Sequence, residues 1–359
     1  MDRRRLLAIG LVAVLAAAGG CDSGGDGGGG GSEGAAADCG LDEGECAPES
    51  ARVDLAKPVF SRPTEITNPL FPTSTLNQVI QLGEEAGEPA RVEITLLPVT
   101  RTIEWDGQTV ATVVRQFIAY AGPRVVEVAL DYFAQADDGS VWYFGEDVFN
   151  YEDGVVADMG GTWLAGKDGP AGMIMPAQPK AGDVYRPENI PGSVFEEVTV
   201  KAVGETVEGP RGPVAGGITI QEHLMEGDFE GKSFAPGYGE SRIEAEDELV
   251  RVALAVPIDA LSGAPASELK ALFSGAVSIF DEASAGEWAP VMAELENVTS
   301  AWHTYEAGDV PELLGAQVTG ALEDLSAAVG ARDAAATGQG ALDLARAGLD
   351  LQLRHLPPA

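Results

Sequence analysis

The sequence is poor in the residues on which most catalytic and metal sites depend. Among 359 residues there are three histidines, three cysteines, and only 22 lysines and arginines against 57 acidic residues. The net charge of −35 excludes nucleic acid as a partner and argues against adhesion to anionic lipid headgroups, because like charges repel. Hydrophobic residues make up 45%, which is enough for packed cores and typical of a globular protein.

Several catalytic signatures are missing as well. Outside a glycine-rich segment near the N-terminus, the sequence has no G-x-S-x-G, H-E-x-x-H, C-x-x-C, Walker or dinucleotide-binding pattern. Their absence excludes the common forms of serine hydrolase, zinc, redox and nucleotide chemistry. We therefore expect no cofactor and a function that is not enzymatic, with an enzyme of unrecognised type as the third alternative.

The first 21 residues, MDRRRLLAIGLVAVLAAAGGC, have the pattern of an export signal. Three arginines precede an apolar run that is too short to span a membrane comfortably, and small residues follow before Cys21. This resembles the lipobox of bacterial lipoproteins, with Ala18 where that family more often has leucine. The resemblance implies a signal peptide over 1–20 and palmitate-type acyl chains on Cys21, which anchor the protein in the bilayer at the extracytoplasmic face. An ordinary secretory peptide is the alternative, and general versus twin-arginine export stays open.

Residues 21–57 are glycine-rich and predict a disordered tether between the anchor and the folded region. Within the tether, Cys39 and Cys46 are separated by six residues. In an exported protein this spacing favours a disulfide bond between them. A metal site is the alternative, but it would need more ligands and this segment has no histidine.

From 58 to 257 the apolar pattern has a period of two, interrupted by tight-turn signals. Asp106-Gly107, Asp138-Gly139 and Asp153-Gly154 each separate runs that are rich in β-branched or aromatic residues. The pattern predicts eight to ten antiparallel strands that form a curved sheet, either a half-barrel or a sandwich. An irregular stretch is expected between residues 160 and 192.

From 258 to 359 the period changes to 3.6 and predicts four helices with short connections. The stripe expected in the first helix consists of Leu269, Leu272, Phe273, Val277 and Phe280. In the last helix it consists of Leu342, Ala345, Leu349, Leu353 and Leu356. The predicted fold class is thus α+β, a curved antiparallel sheet followed by a four-helix bundle.

Three segments of the β region carry a family resemblance. They are DYFAQADDGSVWYFGEDVFNYEDG, GMIMPAQPKAGDVYRPENIPG and KSFAPGYGE. Together they resemble a family of uncharacterised secreted or lipid-anchored proteins known mainly from actinobacteria and myxobacteria, over about residues 68–256. The C-terminal segment ALDLARAGLDLQLRHLPP resembles helical modules of actinobacterial membrane-associated proteins. Neither resemblance implies an activity or a ligand.

Two metal sites can be considered. A Cu(I) site would use Met173 and Met175 together with His223 and Met225, because thioether and imidazole ligands suit that ion. The alternative is that these methionines fill the core. Acidic residues at predicted turns, such as Asp137-Asp138, offer Ca²⁺ ligands, although turns favour aspartate for backbone reasons as well.

Aromatic residues cluster between 132 and 163, and the candidate ligand-binding set is Tyr132, Trp142, Phe144 and Trp163. Such a cluster forms either the core of a sheet or the wall of an apolar cavity for a hydrophobic ligand. Our leading hypothesis is an envelope protein that binds a partner or ligand, and a carrier of lipid is the runner-up. A solid core with an exposed apolar patch favours partner binding, a large apolar cavity favours the carrier, and buried perturbed carboxylates favour an enzyme.

Overall fold

The computed structural model describes residues 41, 46–225 and 227–355. Cys21 and Cys39 lie outside these residues. Fourteen strands come first: β1 Gln78–Glu85, β2 Glu88–Trp105, β3 Gln108–Ala121, β4 Arg124–Gln135, β5 Val141–Glu152, β6 Val155–Asp158, β7 Trp163–Leu164, β8 Gly172–Met175, β9 Val184–Ile190, β10 Val194–Val207, β11 Val214–Leu224, β12 Phe229–Ala235, β13 Gly239–Ala245 and β14 Glu248–Val256. Four helices follow: α1 Ser267–Ala285, α2 Trp288–Tyr305, α3 Glu312–Ala331 and α4 Ala334–Gln352.

The predicted α+β fold class is confirmed. The strands form one open antiparallel sheet in the order β6-β5-β4-β3-β2-β1-β14-β13-β12-β11-β10-β9, and β7 and β8 also pair with β5. Most neighbours in this order are consecutive in the chain, as expected where short turns connect antiparallel strands. Asp106-Gly107 and Asp153-Gly154 form two of these turns with positive φ at both residues, which is the backbone that tight hairpins require.

The sheet has more strands than the eight to ten that were expected. The short strands β7 and β8 lie inside the stretch that the glycine and proline content marked as irregular. A side chain at Gly172 of β8 would lie 1.8 Å from the backbone oxygen of Pro187 in β9. Glycine is therefore required there, because it lets β8 approach β9 closely.

The chain divides into two compact units. The β unit is centred on Gln81–Glu208 and Pro213–Arg251, and the helical unit on the chain from Val252 onward, with the short segments Asn77–Ile80 and Gly209–Gly212. The β unit has one apolar cluster built around the aromatic residues of β4, β5 and β7. A second cluster contains Val92, Phe117 and Ile243.

In the helical unit, α1 packs against α2 and α4, and α4 packs against α3. The buried stripe of α1 differs from the predicted one and consists of Leu269, Leu272, Gly275, Ala276, Ile279 and Ala283. That of α4 is also rich in small residues, including Gly340, Ala341, Ala347 and Gly348. Small residues let helix backbones approach closely, and Leu269, Leu272 and Ile279 supply the larger apolar side chains on the inner face of α1.

Candidate functional site

The aromatic side chains predicted as a ligand site are all buried in the β unit, none more than 4% exposed: Tyr132, Trp142, Phe144 and Trp163. They pack in aromatic pairs. The ring centroid of Trp105 lies 6.2 Å from that of Trp142 and 5.7 Å from that of Phe144. Tyr143 meets Trp163 edge-on at 5.3 Å. These contacts are those of a packed core, in which aromatic rings fill space against one another.

The four residues of the copper hypothesis lie in two different settings. Met173 and Met175 are buried in the same cluster as the aromatic residues. His223 lies near the end of β11 and stacks on Phe229, and the half-buried Met225 follows the strand. Among the described residues, no group of three His, Cys, Asp or Glu side chains is arranged to hold a metal ion. Cys46 forms a disulfide bond whose partner lies outside the described residues.

The interior of the β unit also holds a set of charged side chains, which we call the acidic core. Each of its members is at most 8% exposed. They come from seven strands and are Glu127, Asp131, Glu146, Glu188, Glu196, Glu222, Glu230, Lys232 and Glu248.

Acidic residues of this core face each other across neighbouring strands. Three directly opposed pairs exist: Asp131 with Glu146, Glu188 with Glu196, and Glu222 with Glu230. Like charges in directly opposed positions destabilise a sheet, and burial adds the cost of removing charge from water. Some of these carboxyl groups must therefore be protonated.

The opposed pairs also influence one another, because Glu146 interacts electrostatically with Glu188, and Glu222 with Glu196. Burial, reinforced by the neighbouring carboxylates, raises the pKa of Glu146 and of Glu222 well above the ordinary value. Glu146 and Glu222 therefore hold a proton at neutral pH, which removes their repulsion from the neighbouring carboxyl groups. Glu188 also accepts a hydrogen bond of 2.7 Å from Nε1 of Trp163.

A buried lysine lies beside Glu222 and Glu230 of the acidic core. Nζ of Lys232 contacts Glu222 and lies 3.6 Å from Glu230 and 3.9 Å from Glu240. Burial by itself would lower the pKa of this lysine, but the surrounding glutamates raise it well above the ordinary value. Lys232 is therefore charged and compensates part of the acidic core.

Burial also raises the pKa of other carboxyl groups in the acidic core. Burial raises the pKa of Glu127 to about 8, with a further contribution from Asp131. It likewise raises the pKa of Glu188 to about 8, of Glu230 to about 7 and of Glu248 to about 9. At neutral pH the acidic core therefore holds several protons that the unfolded chain would release.

Strongly perturbed carboxyl groups often mark active sites, so the acidic core bears on the enzyme alternative. A catalytic acid or base must reach the proton that it transfers, at hydrogen-bond distance or through one water molecule. Glu146 and Glu188 are 0% exposed, and Glu222 is 3% exposed. A substrate cannot contact these groups in this structure, which favours an internal role for them.

A second candidate lies on the surface of the helical unit. Five large apolar side chains of α1 and α4 are between 38% and 54% exposed: Phe273, Val277, Phe280, Leu342 and Leu349. We call this set the outer helical face. Phe273, Val277 and Phe280 belong to the stripe that the sequence predicted to be buried, and so do Leu342 and Leu349. That part of the prediction is wrong, because the interior contacts are made by other apolar residues beside them, both small ones and leucines such as Leu272 and Leu344.

The two halves of the outer helical face adjoin each other. A side chain at Gly338 of α4 would lie 3.4 Å from the ring of Phe280, so the ring lies against that glycine. Leu342 follows Gly338 by four residues and Leu349 follows it by eleven, which places all three on one side of α4. Helical spacing therefore puts Leu342 and Leu349 on the side of α4 that meets the Phe280 ring, beside the exposed apolar residues of α1.

Sequence reasoning missed the acidic core, although a signal for it exists. Ile218, Ile220 and Glu222 share one side of β11, and all three are buried. Glu230, Lys232 and Phe234 do the same on β12. A charged residue at the inward position of a two-residue period is the pattern that could have identified these groups.

Comparison with known proteins adds no relative: no protein-family model, curated protein or solved structure matches this chain.

Proposed function

We propose that this protein is anchored at the extracytoplasmic face of the cell membrane by acyl chains on Cys21 and binds a partner protein of the cell envelope without catalysing a reaction. The N-terminal pattern of arginines, apolar run and small residues before Cys21 supports the anchor. Among the described helices, none is both long and apolar enough to cross a membrane.

The outer helical face is the observation that carries the binding role. Single exposed apolar residues are common on protein surfaces, but a contiguous group marks an interaction site. Phe273, Val277 and Phe280 form one side of this surface, and Leu342 and Leu349 form the other. An exposed apolar surface on two neighbouring helices can accept the apolar side of a third helix.

Charge indicates the kind of helix that fits. Residues 258–359 contain fifteen acidic and four basic side chains. A second copy of this chain would bring the same negative charge and repel the first. The partner is therefore an amphipathic helix whose apolar side fits the outer helical face and whose flanks carry lysine or arginine.

The packing of the β unit gives less support to the two alternatives. A carrier needs space for its ligand, whereas Trp142, Phe144 and Trp163 contact other aromatic side chains. An enzyme needs accessible groups, whereas the acidic core is buried.

A peptide-binding experiment tests the partner class. The probes are two designed amphipathic helical peptides with leucine on one side and either lysine or glutamate on the other, titrated against a soluble Cys21→Ser protein by fluorescence anisotropy. We expect the lysine peptide to bind and the glutamate peptide not to bind. Phe273→Ser with Leu349→Ser should weaken binding by about tenfold or more, which corresponds to about 1.4 kcal/mol.

Met292→Ser is the matched control, because Met292 is 46% exposed on α2 and does not belong to the outer helical face. Lysine-peptide binding that survives the double substitution would be unspecific charge attraction and would contradict the proposal. Binding of neutral lipid vesicles that the double substitution abolishes would identify the face as a membrane contact instead. A dimer that the same substitution dissociates would identify a second copy as the occupant.

The anchor has a separate test. We expect Cys21→Ser to move the protein from the membrane fraction to the soluble extracytoplasmic fraction, because the net charge of −35 gives no attraction to anionic lipid. A serine variant that remained in the membrane fraction would show that another element holds the protein there.

A further inference from the structure

A depression of about 320 Å³ lies on β10 to β12, and we call it the platform pocket. Its lining residues are Ala47, Glu197, Thr199, Gln221, His223 and Phe229. Glu196 and Glu222 belong to the buried acidic core, so the alternation along each strand turns Glu197 and His223 to the opposite side of the sheet. The volume is at the lower end of the range for small-molecule sites.

Strand register arranges the pocket in two rows. One row runs across the strands through Glu197, His223 and Phe229, and the next through Thr199, Gln221 and Gly231. The Phe229 ring stacks on His223 at 4.2 Å between centroids with 22° between the ring planes, yet it is 52% exposed. His223 covers one side of the ring, so the exposure of this residue comes from the rest of the side chain, and the ring is accessible to a ligand.

The polar groups of the pocket are held in place by their neighbours. The backbone N–H of Ala47 donates to Oε1 of Glu197 at 2.8 Å, and Arg186 donates to Oε2 through Nε at 3.0 Å and Nη2 at 2.8 Å. Nζ of Lys201 donates to Oε1 of Gln221 at 3.0 Å. The amide NH₂ of Gln221 then remains as the donor for a ligand.

These contacts define the chemistry of the ligand. Arg186 compensates the charge of Glu197, so the pocket attracts neither a cation nor an anion strongly. The fixed carboxylate and amide, together with the threonine hydroxyl, suit a neutral molecule with several hydroxyl groups. The exposed ring of Phe229 suits a flat ring that presents C–H groups to an aromatic surface.

We propose that the platform pocket binds a saccharide of β-1,4-linked sugars with the gluco configuration. In such sugars the substituents are equatorial and the axial C–H groups form a flat apolar side that stacks on an aromatic ring. The hydroxyl groups at the ring edge then bond to Gln221 and Thr199, while Glu197 stays paired with Ala47 and Arg186. This site is independent of the outer helical face and of the anchor.

Saturation-transfer NMR and calorimetry on the soluble Cys21→Ser protein test this assignment. The probes are cellotetraose and chitotetraose, with the α-linked maltotetraose as comparison. We expect at least one β-linked probe to bind more tightly than maltotetraose. Phe229→Leu should weaken that binding by about tenfold, because it keeps the apolar volume and removes the flat ring. Phe229→Tyr should retain it.

Gln221→Ala is a second variant for the same binding measurement, since it removes the amide donor and leaves the aromatic ring in place. We expect it to weaken binding as well, and we expect the matched surface variant Val156→Ala on β6 to leave it unchanged. Val156 is 46% exposed. The assignment is overturned if neither β-linked probe binds, if maltotetraose binds equally well, or if the Phe229→Leu protein binds like the unaltered one.

Discussion

The two units differ in how much charge they bury, because the β unit buries the nine members of the acidic core and the helical unit buries Asp259, Asp350 and Arg354. The β unit buries Glu146, Glu222 and Lys232 among its strands, whereas the helical unit exposes Phe273 and Leu349 on its surface. A buried charge persists only where a partner or a shared proton compensates it. An exposed apolar side chain needs no compensation and costs the folded state little. The β unit therefore depends on protonation, and the helical unit depends on the packing of inner apolar residues such as Leu269, Leu272 and Ile279.

A substitution at Lys232 is the strongest test of the role that buried charge has in the β unit. We expect Lys232→Met to destabilise the protein by about 3–5 kcal/mol at neutral pH, because it leaves buried glutamates without their cation. Chemical denaturation measures the loss, and the exposed Lys57→Met is the control, since side-chain exposure at Lys57 is 56%. The loss should shrink at pH 5, where Glu230, whose pKa is about 7, gains a proton. Equal small effects of both substitutions would show that the acidic core does not need its lysine.

The neighbouring positions Leu272 and Phe273 test the helical unit. Leu272 is 0% exposed and Phe273 is 39% exposed, although both belong to the stripe predicted from the sequence. We expect Leu272→Ala to cost about 2–5 kcal/mol, because it leaves a cavity. Phe273→Ala should stay within about 0.5 kcal/mol, as surface substitutions usually do. A larger cost for Phe273→Ala than for Leu272→Ala would reverse our assignment of the inner and outer faces.

The pH dependence of stability is expected to follow from the acidic core. The folded pKa of Glu188 is about 8 and that of Glu248 is about 9, both above the unfolded value near 4.5. Between these values the folded state binds more protons than the unfolded state, so stability is present at low pH and is lost as pH rises. We expect the thermal midpoint to fall by about 5 °C or more from pH 5.5 to pH 8.5, since each kcal/mol shifts it by about 2–4 °C.

Glu222→Gln is the control for this pH dependence. The amide keeps an N–H donor and stays neutral at every pH. We expect the midpoint at pH 8.5 to rise and the fall between the two pH values to become smaller. A profile that rises from pH 5.5 to pH 8.5 would contradict the protonation of the acidic core.

The sequence predicted the positions of the strands and helices better than it predicted which of their sides are buried. The Asp-Gly pairs at 106–107 and 153–154 mark real hairpins, and the change of period near residue 258 precedes α1. Local backbone preferences act over a few residues, so they can be detected without knowing the fold. The stripe through Phe273, Val277 and Phe280 has helical spacing too, but spacing alone cannot tell which of two apolar sides packs inward.

The sequence by itself determined the fold class, the order of strands before helices, and the lack of the common catalytic and metal-binding motifs. Only the tertiary structure decided that Glu146 of β5 meets Glu188 of β9, because these residues are distant in the chain and come together where the sheet curves. It also decided that Phe229 stacks on His223 beside Glu197, through the register of three strands. Contacts of this kind depend on pairing between distant strands, which the periodicity of any one segment does not encode.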